Sequence, residues 1–119
     1  MEFTFDNNIP IYIQLLEYMK IYLISGVFKC GEKLPSVREF AVSFKVNPNT
    51  VQKALAELES MDLIYTERTN GKYVTNDQEL IDKLKNEYAC TLANSYFKGM
   101  KNIGLGKADS IKYLEGIDE

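Results

Sequence analysis

Apolar residues recur at steps of three and four positions along most of the chain, and two short extended patterns interrupt this periodicity after position 62. Helical steps predict helices that each bury one face, whereas short extended patterns predict strands. The first helical pattern follows Pro10 and ends at Gly26, and we interpret its apolar face as core. The pattern therefore predicts an α+β fold that is mainly helical.

The segment 34–58 joins a short helical pattern to a longer one through a tight break near Lys45. Pro35 fixes its own φ near the helical value and lacks an N–H, so we predict that it opens the first helix. Asn47 is a typical capping residue and Pro48 suits the first position of a helix, so the second helix is predicted to begin there. Two helices in such close succession are typical of a helix-turn-helix, whose second helix enters the major groove of DNA.

Polar side chains occupy the outer face of this second helix near its start. Residues at that end of a recognition helix reach base edges, and amides, hydroxyls and lysines can contact bases or phosphates. Arg38, on the first helix, is expected to contact the DNA backbone. Each residue alone also fits a simpler role as a cap or a solvated side chain, but their combination favours DNA binding. The candidates on the second helix are Asn49, Thr50, Gln52 and Lys53.

A predicted hairpin follows the second helix directly. The two extended patterns flank Thr69, Asn70 and Gly71, and Arg68 and Lys72 are expected to lie at the tip. Alone, such a hairpin would be an ordinary surface feature with solvated charges. After a helix-turn-helix it is typical of a wing, whose tip contacts phosphates or the minor groove.

The C-terminal part of the chain is predicted to form two helices with wide apolar faces. Asn76 and Glu79 have capping-box spacing and are expected to begin the first, and Gly99 and two later glycines are expected to break it before a short helix over 108–117. Because little else can cover these faces, an isologous dimer is favoured over burial within one chain. The predicted dimer interface consists of Leu84, Tyr88, Leu92, Tyr96, Phe97, Met100, Ile111 and Leu114.

These elements divide the chain into two predicted parts. Residues 1–76 form a winged helix-turn-helix domain, and residues 77–119 form a helical dimerisation tail. A single DNA-binding domain is expected to bind modestly, and a dimer would raise the affinity because it engages two half-sites.

The charge distribution changes what the overall charge suggests. A net charge of −3 and a pI near 5.1 argue against a nucleic-acid binder, because phosphate neutralisation supplies much of such affinity. Residues 29–53, however, contain five basic residues against two acidic ones, a local excess of three positive charges. The predicted DNA-binding segment is therefore basic within an acidic chain.

Several other classes of protein are disfavoured. No apolar run approaches the roughly 20 residues that span a bilayer, and the N-terminus lacks a signal-peptide pattern, so we expect a cytoplasmic protein with no membrane partner. Cys30 and Cys90 lack metal-ligand spacing and the sequence has no histidine, so we expect reduced cysteines, no metal and no cofactor. An enzyme is also disfavoured, because no phosphate-binding glycine loop and no nucleophile beside a base is recognisable.

A set of short motifs lies in order along the chain: PIY (10–12), Gln14, LPS (34–36), Arg38, VNPNTV (46–51) and RTNGKYV (68–74). With these motifs, residues 9–74 resemble the N-terminal winged-helix domain of GntR-type bacterial transcriptional regulators. The short helical tail resembles that of the YtrA-like subgroup, whose members dimerise through two C-terminal helices.

This resemblance implies an inverted-repeat operator and a set of residues at the DNA. The chain departs from the family pattern at Thr69, where the wing usually has a second glycine, and at Leu55, where the recognition helix usually has a tyrosine. The implied DNA-binding residues are Ser36, Arg38, Asn47, Asn49, Thr50, Gln52, Lys53, Asn70, Gly71 and Lys72.

We therefore expect a sequence-specific transcriptional regulator, a homodimeric repressor that binds double-stranded DNA at a palindromic operator. The alternative is a winged-helix module for protein interaction, which the acidic pI favours and the basic excess over 29–53 disfavours. The sequence identifies no small-molecule effector. Because the tail is too short for a separate ligand domain, an effector would have to bind between the winged domain and the tail or at the dimer interface.

Overall fold

The computed structural model describes residues 4–119 as helices with one small antiparallel sheet, which confirms the predicted mainly helical winged-helix fold. The first three residues of the predicted domain 1–76 lie outside the described residues. Two compact units are formed, of which the first ends at Asp82 and the second is Lys83–Glu119. The elements are α1 (Ile11–Ser25), α2 (Val37–Phe44), α3 (Pro48–Ser60), β1 (Ile64–Glu67), β2 (Gly71–Val74), α4 (Gln78–Asn102) and α5 (Lys107–Glu115).

Helix α1 forms the base of the first unit and runs as the apolar pattern predicts. Gly26 ends it in the left-handed conformation that glycine adopts at least cost, with φ of 86°. The Gln14 amide nitrogen donates to the carbonyls of Asp6 and Ile9 at 2.7 and 2.8 Å. These bonds hold the segment before α1 against its first turns. The buried face consists of Leu15, Met19, Tyr22 and Leu23.

Helix α2 begins at Val37, two positions later than a Pro35 start requires, so the prediction that Pro35 opens it is wrong. Ser36 is the N-cap: its hydroxyl accepts the N–H of Glu39 at 3.1 Å, and the Glu39 carboxylate accepts the Ser36 N–H at 3.1 Å. This capping box provides partners for donors that the first turn leaves open, and proline precedes it. The helix ends at Lys45, as predicted, with φ of 58°.

Helix α3 begins as predicted, with Asn47 as N-cap and Pro48 in the first turn. It packs against α1, α2 and β1, and its buried face holds the first unit together. Burying one such aliphatic side chain contributes about 1.5–3 kcal/mol. The buried residues of α3 are Val51, Ala54, Leu55 and Leu58.

Strands β1 and β2 form the predicted hairpin in antiparallel register, with Ile64 opposite Val74. These two residues are almost fully buried and fix the base of the hairpin to the core. The segment before α2 pairs with the other side of β2. The Leu34 N–H donates to the Lys72 carbonyl at 2.8 Å, and the Val74 N–H donates to the Glu32 carbonyl at 2.9 Å. The wing is thus held along both sides of β2.

The ends of α4 differ from the prediction. The Asp77 carboxylate accepts the N–H of Leu80 at 3.2 Å, so Asp77 caps the helix and the predicted Asn76 and Glu79 pair does not. Gly99 lies inside α4 and does not break it, since one interior glycine costs only about 1 kcal/mol. Ile81, in the first turns of α4, is buried with the first unit, and the division between the two units falls just after it.

Helix α5 begins at Lys107, where the Gly106 N–H donates to the Asp109 carboxylate at 3.2 Å. Within the second unit α5 is fastened to α4 by the Tyr96 hydroxyl, which donates to the Ser110 carbonyl at 2.8 Å. The Ser110 hydroxyl in turn donates to the Gly106 carbonyl at 2.8 Å. The first of these bonds joins the two tail helices, and the second lies within the start of α5.

Candidate nucleic-acid interface

The start of α3 presents three of the predicted DNA-binding side chains to solvent: Asn49, Gln52 and Lys53 are exposed. Thr50 is half-buried on the same helix end. Because α3 buries one face against the core, the opposite face, which carries these side chains, points to solvent. The structure therefore brings these four residues together on one exposed end of the recognition helix.

Asn47 has a structural role in addition to its predicted one. Its side-chain oxygen accepts the N–H of Asn49 at 2.8 Å, and its carbonyl accepts those of Thr50 and Val51 at 2.9 and 3.2 Å. The backbone donors at this helix end are thus used within the protein, which leaves side chains to contact a ligand. The Asn47 amide nitrogen has no hydrogen-bond partner among residues 4–119.

Lys53 is held in place by a residue that sequence reasoning missed. Its ammonium nitrogen lies 3.8 Å from the centre of the Tyr12 ring, over the ring face. A cation above an aromatic face is attracted by the ring quadrupole, which restricts where this long side chain can point. Tyr12 lies in the PIY motif at the start of α1, and that motif was the only sequence signal for it.

The two predicted residues near the start of α2 differ in their freedom. The Ser36 hydroxyl and N–H are both used in the capping box. Hydrogen bonding to the Glu39 carboxylate, first from the Ser36 N–H and then from the Ser36 side chain, lowers the pKa of Glu39. Arg38 is exposed, and its guanidinium has no hydrogen bond or ion pair with any residue in 4–119. Arg38 is therefore available to a phosphate, while Ser36 orders the helix that carries it.

The wing places its residues differently from the prediction in one respect. Residues 68–70 form the turn, and Gly71 follows with φ of 110°, a conformation that favours glycine. Thr69 does not have a positive φ, so the turn forms without the second glycine of the family pattern. The prediction that Lys72 lies at the tip is wrong, because Lys72 lies in β2 opposite Thr66.

Lys72 is also paired within the protein. Its ammonium lies 3.1 Å from the Glu59 carboxylate at the end of α3, and it donates to the Thr66 hydroxyl at 2.7 Å. Thr66 in turn donates to Glu59 at 2.5 Å. The bond from Thr66, and after it the bond from Lys72, lower the pKa of Glu59.

The predicted dimer residues lie on the two tail helices. Five of them are half-buried, whereas Leu92, Ile111 and Leu114 are exposed at 68%, 48% and 52%. A groove of about 410 Å³ separates α4 from α5 in this unit, with Phe97, Ile111 and Leu114 among its lining residues. The half-buried residues are Leu84, Tyr88, Tyr96, Phe97 and Met100.

The other candidate chemistry is limited. Within residues 4–119 no group of His, Cys, Asp or Glu side chains is arranged to hold a metal ion. Both cysteines are free thiols, and Cys30 lies 3.2 Å from the Gln78 side-chain oxygen. None of the described helices combines the length and apolar character needed to cross a membrane.

Comparison with known proteins identifies the family. The model for bacterial regulatory proteins of the gntR family matches residues 11–74. The chain is 36% identical to the Bacillus subtilis HTH-type transcriptional regulator YhcF, over 98% of this chain and 94% of that protein. It is 45% identical to the B. subtilis HTH-type transcriptional repressor YtrA, over 60% of this chain and 55% of that protein.

Solved structures agree with this assignment. A GntR family transcriptional regulator from Listeria monocytogenes superposes with a TM-score of 0.87 at 38% identity, over 96% of this chain and all of that one. The DNA-binding domain of AraR, solved in complex with operator ORX1, has a TM-score of 0.54 at 25% identity, over 63% of this chain and 92% of that one. Because these relatives are regulators, the prediction that the chain is not an enzyme is also confirmed. The chain therefore belongs to the gntR family of bacterial regulatory proteins, as a transcriptional regulator with a winged-helix DNA-binding domain.

Proposed function

We propose that the chain is a repressor that binds an inverted-repeat operator as a symmetric dimer. The observation that carries the proposal is the exposed polar end of α3, where Asn49, Gln52 and Lys53 project from a helix whose backbone donors are already bonded. Side chains at this position of a recognition helix contact base edges in the major groove. A relative named as a repressor, and operator complexes of the AraR domain, support this assignment.

The contacts to DNA divide by chemistry. Arg38, which has no partner within the described residues, is proposed to bind a phosphate and so to fix the position of the domain without selecting sequence. Asn49 and Gln52 carry amides suited to adenine in the major groove. Asn47, Thr50 and Lys53 complete the contact at this end of α3. Ser36, Asn70, Gly71 and Lys72 lie in or beside the elements proposed to border the DNA.

The dimer proposal rests on how little the tail buries. Ser110, a polar residue, is the only buried residue among Lys83–Glu119, while several large apolar side chains stay exposed. Several large apolar side chains exposed on one small unit indicate a contact with another chain. A second copy is the simplest occupant, because a two-fold axis lets the same surface cover itself. The exposed large apolar residues of this unit are Leu92, Ile103, Ile111, Tyr113, Leu114 and Ile117.

An interaction module without sequence-specific DNA binding is the competing function. It predicts no retardation of any duplex at low salt, whereas the basic excess over residues 29–53 predicts retardation that salt weakens. A regulator that binds operators acts where bacterial DNA is, so the cytoplasmic location stays part of the proposal.

Selection of bound duplexes from a random pool tests the proposal. We expect enrichment of an inverted repeat whose half-sites are about 34–36 Å apart, or a multiple of that distance. Arg38→Ala should weaken binding to every sequence, whereas Asn49→Ala should relax the preference at one position of each half-site. The proposal would be contradicted if the chain retarded no duplex, or if it retarded the pool without enriching any sequence.

A further inference from the structure

Of the two basic residues of the wing, Lys72 is paired with side chains of residues 4–119 and Arg68 is not. The Lys72 ammonium is shared between the Glu59 carboxylate at 3.1 Å and the Thr66 hydroxyl at 2.7 Å. The guanidinium of Arg68, in the exposed turn, has no hydrogen bond or ion pair with any residue in 4–119. Equal charge therefore does not mean equal availability to DNA.

The groups around Lys72 connect two elements. Glu59 lies in the last turn of α3, while Thr66 and Lys72 are opposite each other on β1 and β2. All three pairs among these residues are bonded, since Thr66 also donates to Glu59. We call Glu59, Thr66 and Lys72 the wing latch, because it joins both strands of the wing to the recognition helix.

Contact with a phosphate would require the Lys72 ammonium to leave both of its partners. Its side chain is 30% exposed and its partner Glu59 44% exposed, so moving the ammonium to DNA would leave a carboxylate without its cation. That carboxylate would then lie close to a polyanion, where like charges repel. Arg68 loses no partner when it binds DNA, and its planar guanidinium suits both a phosphate and a narrow minor groove.

We propose that the wing latch is a positioning device that sets the wing relative to α3, and that Arg68 is the basic side chain with which the wing contacts DNA. The proposal rests on the DNA-binding function proposed above. It changes the role of Lys72 from a DNA contact to a positioning residue, and it adds Glu59 and Thr66, which were not among the predicted site residues.

The test is the salt dependence of binding to a selected operator duplex, measured for the 119-residue chain. Arg68→Ala should reduce the slope of log affinity against log salt by about 0.9, the contribution of one phosphate contact. Lys72→Met should leave the slope unchanged and weaken binding about fivefold, because the wing contact is misplaced but not deleted. Thr66→Val, which keeps a β-branched residue in the strand, should match Lys72→Met.

Two further measurements separate positioning from general stability. The double variant Thr66→Val/Lys72→Met should bind no more weakly than either single variant, since each one opens the same latch. In the latch variants, hydroxyl-radical footprints should show wing protection in the minor groove that is displaced but still present, and unchanged protection by α3, at temperatures where circular dichroism shows every variant folded.

The outcomes are distinct. A slope reduced by Lys72→Met as much as by Arg68→Ala would make Lys72 a phosphate contact and overturn the proposal, as would an unchanged slope for Arg68→Ala. Additive losses in the double variant would also overturn it. Absence of binding by the unsubstituted chain would instead refute the proposed function, and with it any role of the wing at DNA.

Discussion

Substitution of Asn47 separates its role as a helix cap from its proposed role at DNA. The side-chain oxygen accepts the Asn49 N–H at 2.8 Å, while the amide nitrogen has no partner among the described residues. Asn47→Asp keeps an oxygen in the capping position, and its charge suits a helix N-terminus. It replaces the free amide donor with a second acceptor that carries negative charge. Asn47→Ala removes both functions.

The expected magnitudes differ between the two variants. Loss of an N-cap side chain costs about 1 kcal/mol, which in a unit of this size lowers the melting temperature by about 4–8 °C. Asn47→Ala should show that loss, and Asn47→Asp should melt within about 2 °C of the unsubstituted chain. At the operator, loss of a donor contact is worth about 1–3 kcal/mol, so Asn47→Asp should bind at least about fivefold more weakly.

Thermal unfolding followed by circular dichroism gives the first quantity, and titration of a fluorescent operator duplex gives the second. An Asn47→Asp chain as unstable as Asn47→Ala would show that the oxygen is not the capping group. An Asn47→Asp chain that binds the operator like the unsubstituted chain would show that Asn47 does not face DNA.

Three other predictions concern contacts between different helices and strands. Tyr12→Leu should weaken operator binding about threefold, because the attraction that holds Lys53 is worth about 0.5–1 kcal/mol, and Tyr12→Phe should not. The pKa of Glu59 is lowered on folding, so the unfolded chain binds more protons in acid. The stability due to Glu59 is therefore present above its ordinary pKa of 4.5 and is lost as the pH falls through the folded pKa. Glu59→Gln should make the melting temperature depend less on pH in that range. Tyr96→Phe should destabilise the tail by about 1 kcal/mol in urea unfolding, whereas Tyr113→Phe, at an exposed tyrosine, should not.

Each of these has a clear contrary result. Equal operator binding by the Leu and Phe variants at position 12 would show that the aromatic ring does not position Lys53 for DNA binding. An unchanged pH profile in Glu59→Gln would show that Glu59 contributes no proton-linked stability. Equal effects of the two tyrosine variants would deny the hydrogen bond to Ser110 a role in joining the tail helices.

The start of α3 was predictable from sequence because its determinants are local. Asn47 and Pro48 each have a preference that the adjacent backbone satisfies directly, and Lys45 ends α2 where the pattern stops. Two other starts were misplaced for a related reason: Pro35 and Ser36, like Asn76 and Asp77, are adjacent residues that both suit a helix start. Side-chain geometry decides which of them caps, and periodicity does not contain that information.

The contacts that refine the DNA-binding face depend on the tertiary fold. Lys53 meets Tyr12 only because α3 packs on α1, and Lys72 meets Glu59 only because the hairpin folds back on the end of α3. Neither pair has a short spacing that a sequence pattern can reveal. Residues of the tail posed a different difficulty, since their apolar character predicts burial but does not say against what.

The stoichiometry of the chain on an isolated operator tests the central claim most directly. Native mass spectrometry of the 119-residue chain with the selected duplex should show two chains on one duplex. A duplex with one half-site scrambled should bind at least about a hundredfold more weakly. One chain per duplex, with equal affinity for the intact and the half-scrambled operator, would contradict a dimer that recognises an inverted repeat.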